Sequence, residues 1–195
     1  MPTIAGELQT STEDATECDD LVDFSCGDGR LEAEAAVERI VAGCRSGRLS
    51  GITMRVTREV PPGALVGISA IEWPGLVLRH PDFPSDAYKD AAYVAVLALN
   101  AQYRGGYQVQ NGEPLSHALM ADALRFIASA VDGEVPPVQA IIDPRNAPSR
   151  ALCEHFGFIQ PIVTEPDLWY VRPRGLPLEE PSEEGKRAED EEADK

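Results

Sequence analysis

The order of apolar patterns in this chain of 195 residues predicts an α/β fold, with helices packed on a mixed sheet. Three observations carry that expectation. Ala91 to Leu99 is a near-continuous apolar run, as in a strand buried on both faces. Leu115 to Val131 is the longest stretch with apolar residues at helical spacing. Along the whole chain the patterns alternate: strand, helix, hairpin, buried strand, helix, strand, helix and two strands.

Residues 1–20 are polar and acidic and read as a disordered tail. Leu21 to Phe24 has the pattern of a short strand, and Gly27-Asp28-Gly29 signals a turn. Leu31, Ala35, Val37, Ile40 and Val41 then fall on one face of a helix that ends near Gly43. Ile52–Val56 and Ala64–Trp73 form a hairpin around Pro61-Pro62-Gly63. Pro74–Asp90 is loop-rich, and the buried run 91–99 follows. In the long helix, Leu115, Ala118, Leu119, Ala123, Phe126 and Ile127 take core spacing. Val138–Ile142 reads as a strand, Asn146–His155 as a shorter helix closed by Gly157, and Phe158–Val163 and Leu168–Val171 as the last strands.

The formal net charge is -16, and the two ends hold most of it. Residues 1–20 carry -6 and residues 176–195 carry another -6, leaving -4 for a single domain over 21–175. The C-terminal segment, like the N-terminal one, reads as disordered. No cluster of Lys and Arg is available to neutralise phosphates, which argues against a nucleic-acid partner and an anionic membrane surface. No apolar run reaches the roughly 18 residues of a membrane span, and no secretory leader pattern opens the chain. A cytoplasmic protein is expected. Cys18, Cys26, Cys44 and Cys153 form no C-x-x-C pair and have no neighbouring His cluster, so they suggest reduced thiols and no metal site.

Two blocks carry a family resemblance. The first is Leu97-Ala98-Leu99-Asn100-Ala101-Gln102-Tyr103-Arg104-Gly105. The second is Asn146-Ala147-Pro148-Ser149-Arg150-Ala151-Leu152-Cys153-Glu154-His155-Phe156-Gly157-Phe158. In order, with a long amphipathic helix between them, they resemble the acetyl-CoA-binding core of the GNAT N-acetyltransferases over about two thirds of the chain, residues 50–175. The resemblance implies a mixed, mostly antiparallel sheet with a splayed strand pair and flanking helices. Acetyl-CoA would be the co-substrate. The backbone at Leu97 and Leu99 would pair with its pantetheine arm, with Asn146 and Ser149 opposite. Arg104, Gly105, Gly106, Gly112 and Ser116 would surround its pyrophosphate, and His117, from its own place in the first turn of the long helix, is a further candidate to touch phosphate.

The chain departs from the family pattern at three places. The phosphate loop is elongated: Asn111-Gly112-Glu113-Pro114-Leu115-Ser116 overlies the usual glycine motif, yet Pro114 has no N–H and Glu113 repels phosphate. A surface hairpin turning at Asn111-Gly112 is the alternative there. Ala95 stands where relatives carry a basic Glu, so Glu72 is the nearest substitute, or else a strand-end surface residue. Cys153 stands where relatives carry a proton-donating Tyr, and is either the acid or a small buried side chain. Trp73 and Tyr93 either line an acceptor pocket or pack in the core, while His80 and His155 read as surface residues.

These readings imply transfer of an acetyl group from acetyl-CoA to a primary amine: a small amine, a protein N-terminus or a lysine. The resemblance also allows a homodimer. The alternative is a non-catalytic acyl-CoA-binding or regulatory protein. Phe24-Ser25-Cys26-Gly27 followed by Leu31 is similar to the opening of GNAT toxins that acetylate aminoacyl-tRNA, although the basic surface of those toxins is missing.

Overall fold

The computed structural model describes residues 2–27, 32–61, 63–73, 90–131, 135–164 and 167–175. The strands are β1 (Glu7–Glu13), β2 (Ile52–Val60), β3 (Ala64–Glu72), β4 (Ala92–Leu99), β5 (Val138–Ile142), β6 (Ile159–Thr164) and β7 (Asp167–Arg172). The helices are α1 (Glu32–Arg45), α2 (Leu115–Ser129) and α3 (Ala147–His155). Among the described residues the strands form one seven-stranded sheet in the order β1-β2-β3-β4-β5-β7-β6. Neighbours are antiparallel except β4 and β5, which run parallel.

The alternation of β2 sorts the helices onto the two faces. Met54 and Val56 pack with Val41 and Cys44 of α1, and with Leu21, Phe24 and Cys26. Arg55, between them, points to the other face. It grips Asp122 of α2 with two hydrogen bonds of 2.9 and 3.0 Å and lies over the Phe126 ring at 4.5 Å. Met120, Leu124 and Ile127 of α2 then pack with Val94, Val138 and Tyr170, and with Leu152 and Cys153 of α3.

The amino terminus overturns the expectation of a disordered tail over residues 1–20. Residues 7–13 add an edge strand along β2, from Glu7 opposite Val60 to Glu13 opposite Met54. The pairing succeeds because β2 neutralises the acids. Arg58 holds the carboxylates of Glu13 and Asp20, and Thr10 and Thr57 share a hydroxyl hydrogen bond of 2.9 Å. Leu21–Phe24 is not a strand. A single 3-10 turn at Asp19–Leu21 leads into irregular chain that buries Leu21 and Phe24 side by side with α1. The acidic segment 176–195 lies outside the described residues.

The Glu13–Arg58 contact makes this edge acid-sensitive. The hydrogen bond from Arg58 lowers the Glu13 carboxyl from its ordinary 4.5 to about 2. A depressed carboxylate stabilises the fold fully above its unfolded pKa and loses that contribution as pH falls through the folded value. Stability is therefore expected to decline between about pH 4.5 and 2 from this group. Arg58→Ala should cost about 1–2 kcal/mol at neutral pH and flatten that decline in urea titrations run at each pH.

Candidate active site

The pairing of β4 with β5 stops after two residues, Ala92 with Val138 and Tyr93 with Gln139. Its cause lies two residues further on. Ile71 pairs with Val94 and Ala70 with Val96, so Ala95 is an extra residue on β4. A bulge of this kind bends its strand, and β4 leaves β5 at this point. Asn100 N–H donates to Val66 O at 2.8 Å, so the backbone of Asn100 faces β3. Alternation then turns the N–H and C=O groups of Leu97 and Leu99 away from β3 and into the gap.

Two cavities fill this gap. The first, of ≈ 190 Å³, is lined by Leu97, Leu99, Arg104, Ser116, Asn146 and Ser149, together with Cys26 and Glu34. The second, of ≈ 320 Å³, is lined by Tyr93, Ala95, Arg39, Ile141, Asp143 and Cys153, among others. Val37, Leu97, Asn146, Ser149 and Leu152 belong to both, so the two form one cleft. Asn146 caps α3, its side-chain oxygen accepting the Ser149 N–H at 3.3 Å. That cap fixes the first turn of α3 as the wall opposite β4.

The other sequence candidates fall elsewhere. Gly105 and Gly106 follow Arg104 at the cleft mouth with φ of +93° and +96°, conformations that glycine adopts without strain, but they line neither cavity. Gly112 lines neither cavity and is a turn residue. Val109 N–H donates to Glu113 O and Gly112 N–H to Val109 O, both at 2.9 Å, so the Asn111-Gly112 turn closes a hairpin and uses the donor that phosphate would need. His117 lines neither cavity. Its ring stacks on His155 at 4.2 Å and meets Phe156 at 5.7 Å, tying the start of α2 to the end of α3.

Both catalytic candidates meet a physical objection. Glu72 ends β3 and lines neither cavity. Cys153 does line the second cavity, but burial pushes its thiol up to about 12. Protonating a thiolate of ordinary pKa near 8.5 from such a donor is roughly 4–5 kcal/mol uphill. Cys153→Ala is therefore expected to leave turnover within about threefold of the parent and to lower stability by about 1 kcal/mol, read by steady-state kinetics beside thermal melts. Of the aromatic candidates, Tyr93 lines the second cavity and Trp73 packs against the core. His80 lies outside the described residues.

Sequence reasoning missed the contribution of α1. Val37 and Glu34 line the first cavity, and Ala36, Arg39 and Ile40 the second. Glu34 is buried, and its carboxylate binds Arg104 Nη1 at 2.6 Å. A signal was present: Glu34 stands midway between Leu31 and Val37 on the helix's apolar stripe, where a charge needs a partner. Asp143 is likewise bound to an arginine. Arg145 donates to it at 2.7 and 3.0 Å and holds its carboxyl below the ordinary carboxylate range, which makes it a poor base.

No protein-family model and no curated protein matches the sequence. Solved structures do match the fold. An N-acetyltransferase from Staphylococcus aureus is 16% identical, with a TM-score of 0.58 over 89% of this chain and 100% of that one. AtaTR with bound acetyl-CoA is 18% identical, with a TM-score of 0.56 over 85% and 94%. A bacterial toxin is 15% identical, with a TM-score of 0.55 over 85% and 90%. A bulged strand splayed from its parallel neighbour, a capped helix across the gap and these likenesses agree: the chain has the fold of the GNAT acetyltransferases.

Proposed function

We propose that the protein transfers an acetyl group from acetyl-CoA to a primary amine. The observation that carries this reading is the outward-facing backbone of Leu97 and Leu99 in the splay, opposite Asn146 and Ser149. These groups fit the amide-bearing pantetheine arm. The strand edge offers donors and acceptors in alternation, and the gap between β4 and α3 supplies apolar walls from Leu119 and Leu152. Bound acetyl-CoA supplies the activated thioester. The reaction forms an amide C–N bond, breaks the thioester C–S bond and releases CoA as the thiol; of the two protons that the acceptor ammonium loses, one ends on the CoA sulfur and one is released to solvent.

The chain's own groups take limited roles in that reaction. The gap-facing N–H groups of β4 would polarise the thioester carbonyl. The second cavity, with Tyr93 and Arg39 on its walls, would admit the amine. Ala95 offers no carboxylate there, and Asp143 is held by Arg145, so the neutral fraction of the amine itself sets the rate. Turnover should accordingly rise with pH up to the pKa of the acceptor.

The test is a calorimetric titration with acetyl-CoA followed by a thiol-release assay over a panel of amines. Binding to the native state raises the melting temperature, and saturating acetyl-CoA should do so here. Failure to bind removes the reading. Binding without thiol release would favour the second reading, a non-catalytic acyl-CoA-binding protein. The specific observation behind that second reading is the lining of the second cavity, where Ala95 carries no ionisable group and Cys153 is a buried thiol.

A further inference from the structure

One part of the chain next to the cleft is built with more care than packing alone demands. Ser25 O accepts the Ala101 N–H at 2.7 Å, which ties the segment before α1 to the turn after β4. Cys26 Sγ lies 3.9 Å from Glu34 O, and the next residue is Gly27. A Cβ at Gly27 would overlap both the Glu34 carboxylate and Arg104 Nη1. The Ser25–Gly27 backbone, Glu34 and Arg104 therefore close on one another at the mouth of the first cavity. Glu34 is 7% exposed and Arg104 is 47% exposed.

We propose that Glu34 is a positioning residue that aims Arg104 at the phosphate groups of the coenzyme, with Gly27 providing the space that the pair needs. A guanidinium has five N–H donors in a rigid fork. Glu34, itself buried, takes Nη1, which leaves the other donors of the half-exposed Arg104, a lining residue of the first cavity, for a ligand there. Without Glu34 the long arginine side chain would lose its fixed orientation and recover it only on binding, at an entropic cost. The inference rests on the reading that this cleft takes acetyl-CoA.

Gly27→Ala tests it without replacing either member of the pair, because the new methyl overlaps the Glu34 carboxylate and Arg104 Nη1 and forces the flexible end of Glu34 aside. Arg104→Ala should weaken acetyl-CoA binding about tenfold, the worth of one charge-assisted hydrogen bond. Glu34→Ala and Gly27→Ala should each weaken it about three- to tenfold, the loss falling mainly on KM for the coenzyme rather than on kcat. Neither should weaken it further in an Arg104→Ala background. Glu34→Gln keeps an acceptor oxygen and should stay within about threefold of the parent. Tighter binding by Glu34→Ala would mean that Glu34 competes with phosphate and would overturn the proposal. Equal losses with and without Arg104, or none from Gly27→Ala, would overturn it as well. Inorganic pyrophosphate as a competitor separates the two failures. A parent that binds neither pyrophosphate nor acetyl-CoA removes the coenzyme reading and this inference together. A parent that binds while the Glu34 and Gly27 variants match it removes the inference alone.

Discussion

Ser149→Trp is expected to lower acetyl-CoA affinity by at least about 100-fold, some 2.8 kcal/mol at 1.4 kcal/mol per tenfold change, while leaving the fold intact. Ser149 lies in the first turn of α3 and faces both parts of the cleft. An indole there would take up much of a cavity of ≈ 190 Å³. The variant keeps what the fold uses at this position, since the Asn146 side-chain oxygen accepts from the Ser149 backbone N–H and not from its hydroxyl. Ser149 is also only half-buried, so the ring has solvent on one side in the free protein. Melting temperature should shift by no more than a few degrees, while calorimetry shows little or no heat of binding. Normal coenzyme affinity in this variant would place the coenzyme elsewhere on the molecule.

The parts of the fold that were legible in the sequence are those specified within a few residues. The buried run 91–99 became β4, and the apolar repeat from Leu115 became α2, which ends at Ser129. Asn146 was readable as a cap because a side-chain oxygen three residues before a free N–H is a local arrangement. β1 was not readable. Its sequence is polar and acidic, and what makes it a strand is Arg58, 45 residues away from Glu13. Leu21 and Phe24 show the reverse error: apolar residues in sequence suggested a strand, but Leu21 is buried from a 3-10 turn and Phe24 from irregular backbone.

The same division runs through the cleft. Leu97, Leu99, Arg104, Ser116, Asn146 and Ser149 come together on one cavity from three segments, each with a recognisable local pattern. The long connection before α2 resisted reading because a glycine beside an asparagine serves equally in a phosphate loop and in a hairpin turn. The hydrogen bonds of Val109 and Gly112 show the hairpin turn. The Ala95 bulge and the Glu34–Arg104 pair are tertiary events. The first appears only as a register shift against β3, and the second joins residues 70 positions apart.

Gly67→Val is expected to cost about 3 kcal/mol of stability and, with it, much of the coenzyme affinity. In isolation the change should help a strand, since valine exceeds glycine in β-propensity by up to about 1 kcal/mol. Gly67 is buried in β3 opposite Leu99, however, and a Cβ there would stand 2.7 Å from Leu119 Cδ2 and 2.8 Å from Ala98 O. Leu119 could rotate aside, but the Ala98 carbonyl is backbone of β4 and cannot. Relief requires β4 to shift against β3, and valine's two methyl groups demand more room than the Cβ alone. At roughly 2–4 °C per kcal/mol for a domain of this size, the melting temperature should fall by about 6–12 °C. The functional loss follows from position: Ala98 and Leu119 both line the first cavity, so the strain is released into the cleft wall. Gly67→Ala should show the same direction at about 1 kcal/mol. A Gly67→Val protein that melts and binds acetyl-CoA like the parent would mean that β3, β4 and α2 are not packed this closely, and that the glycine is there for some reason other than their approach.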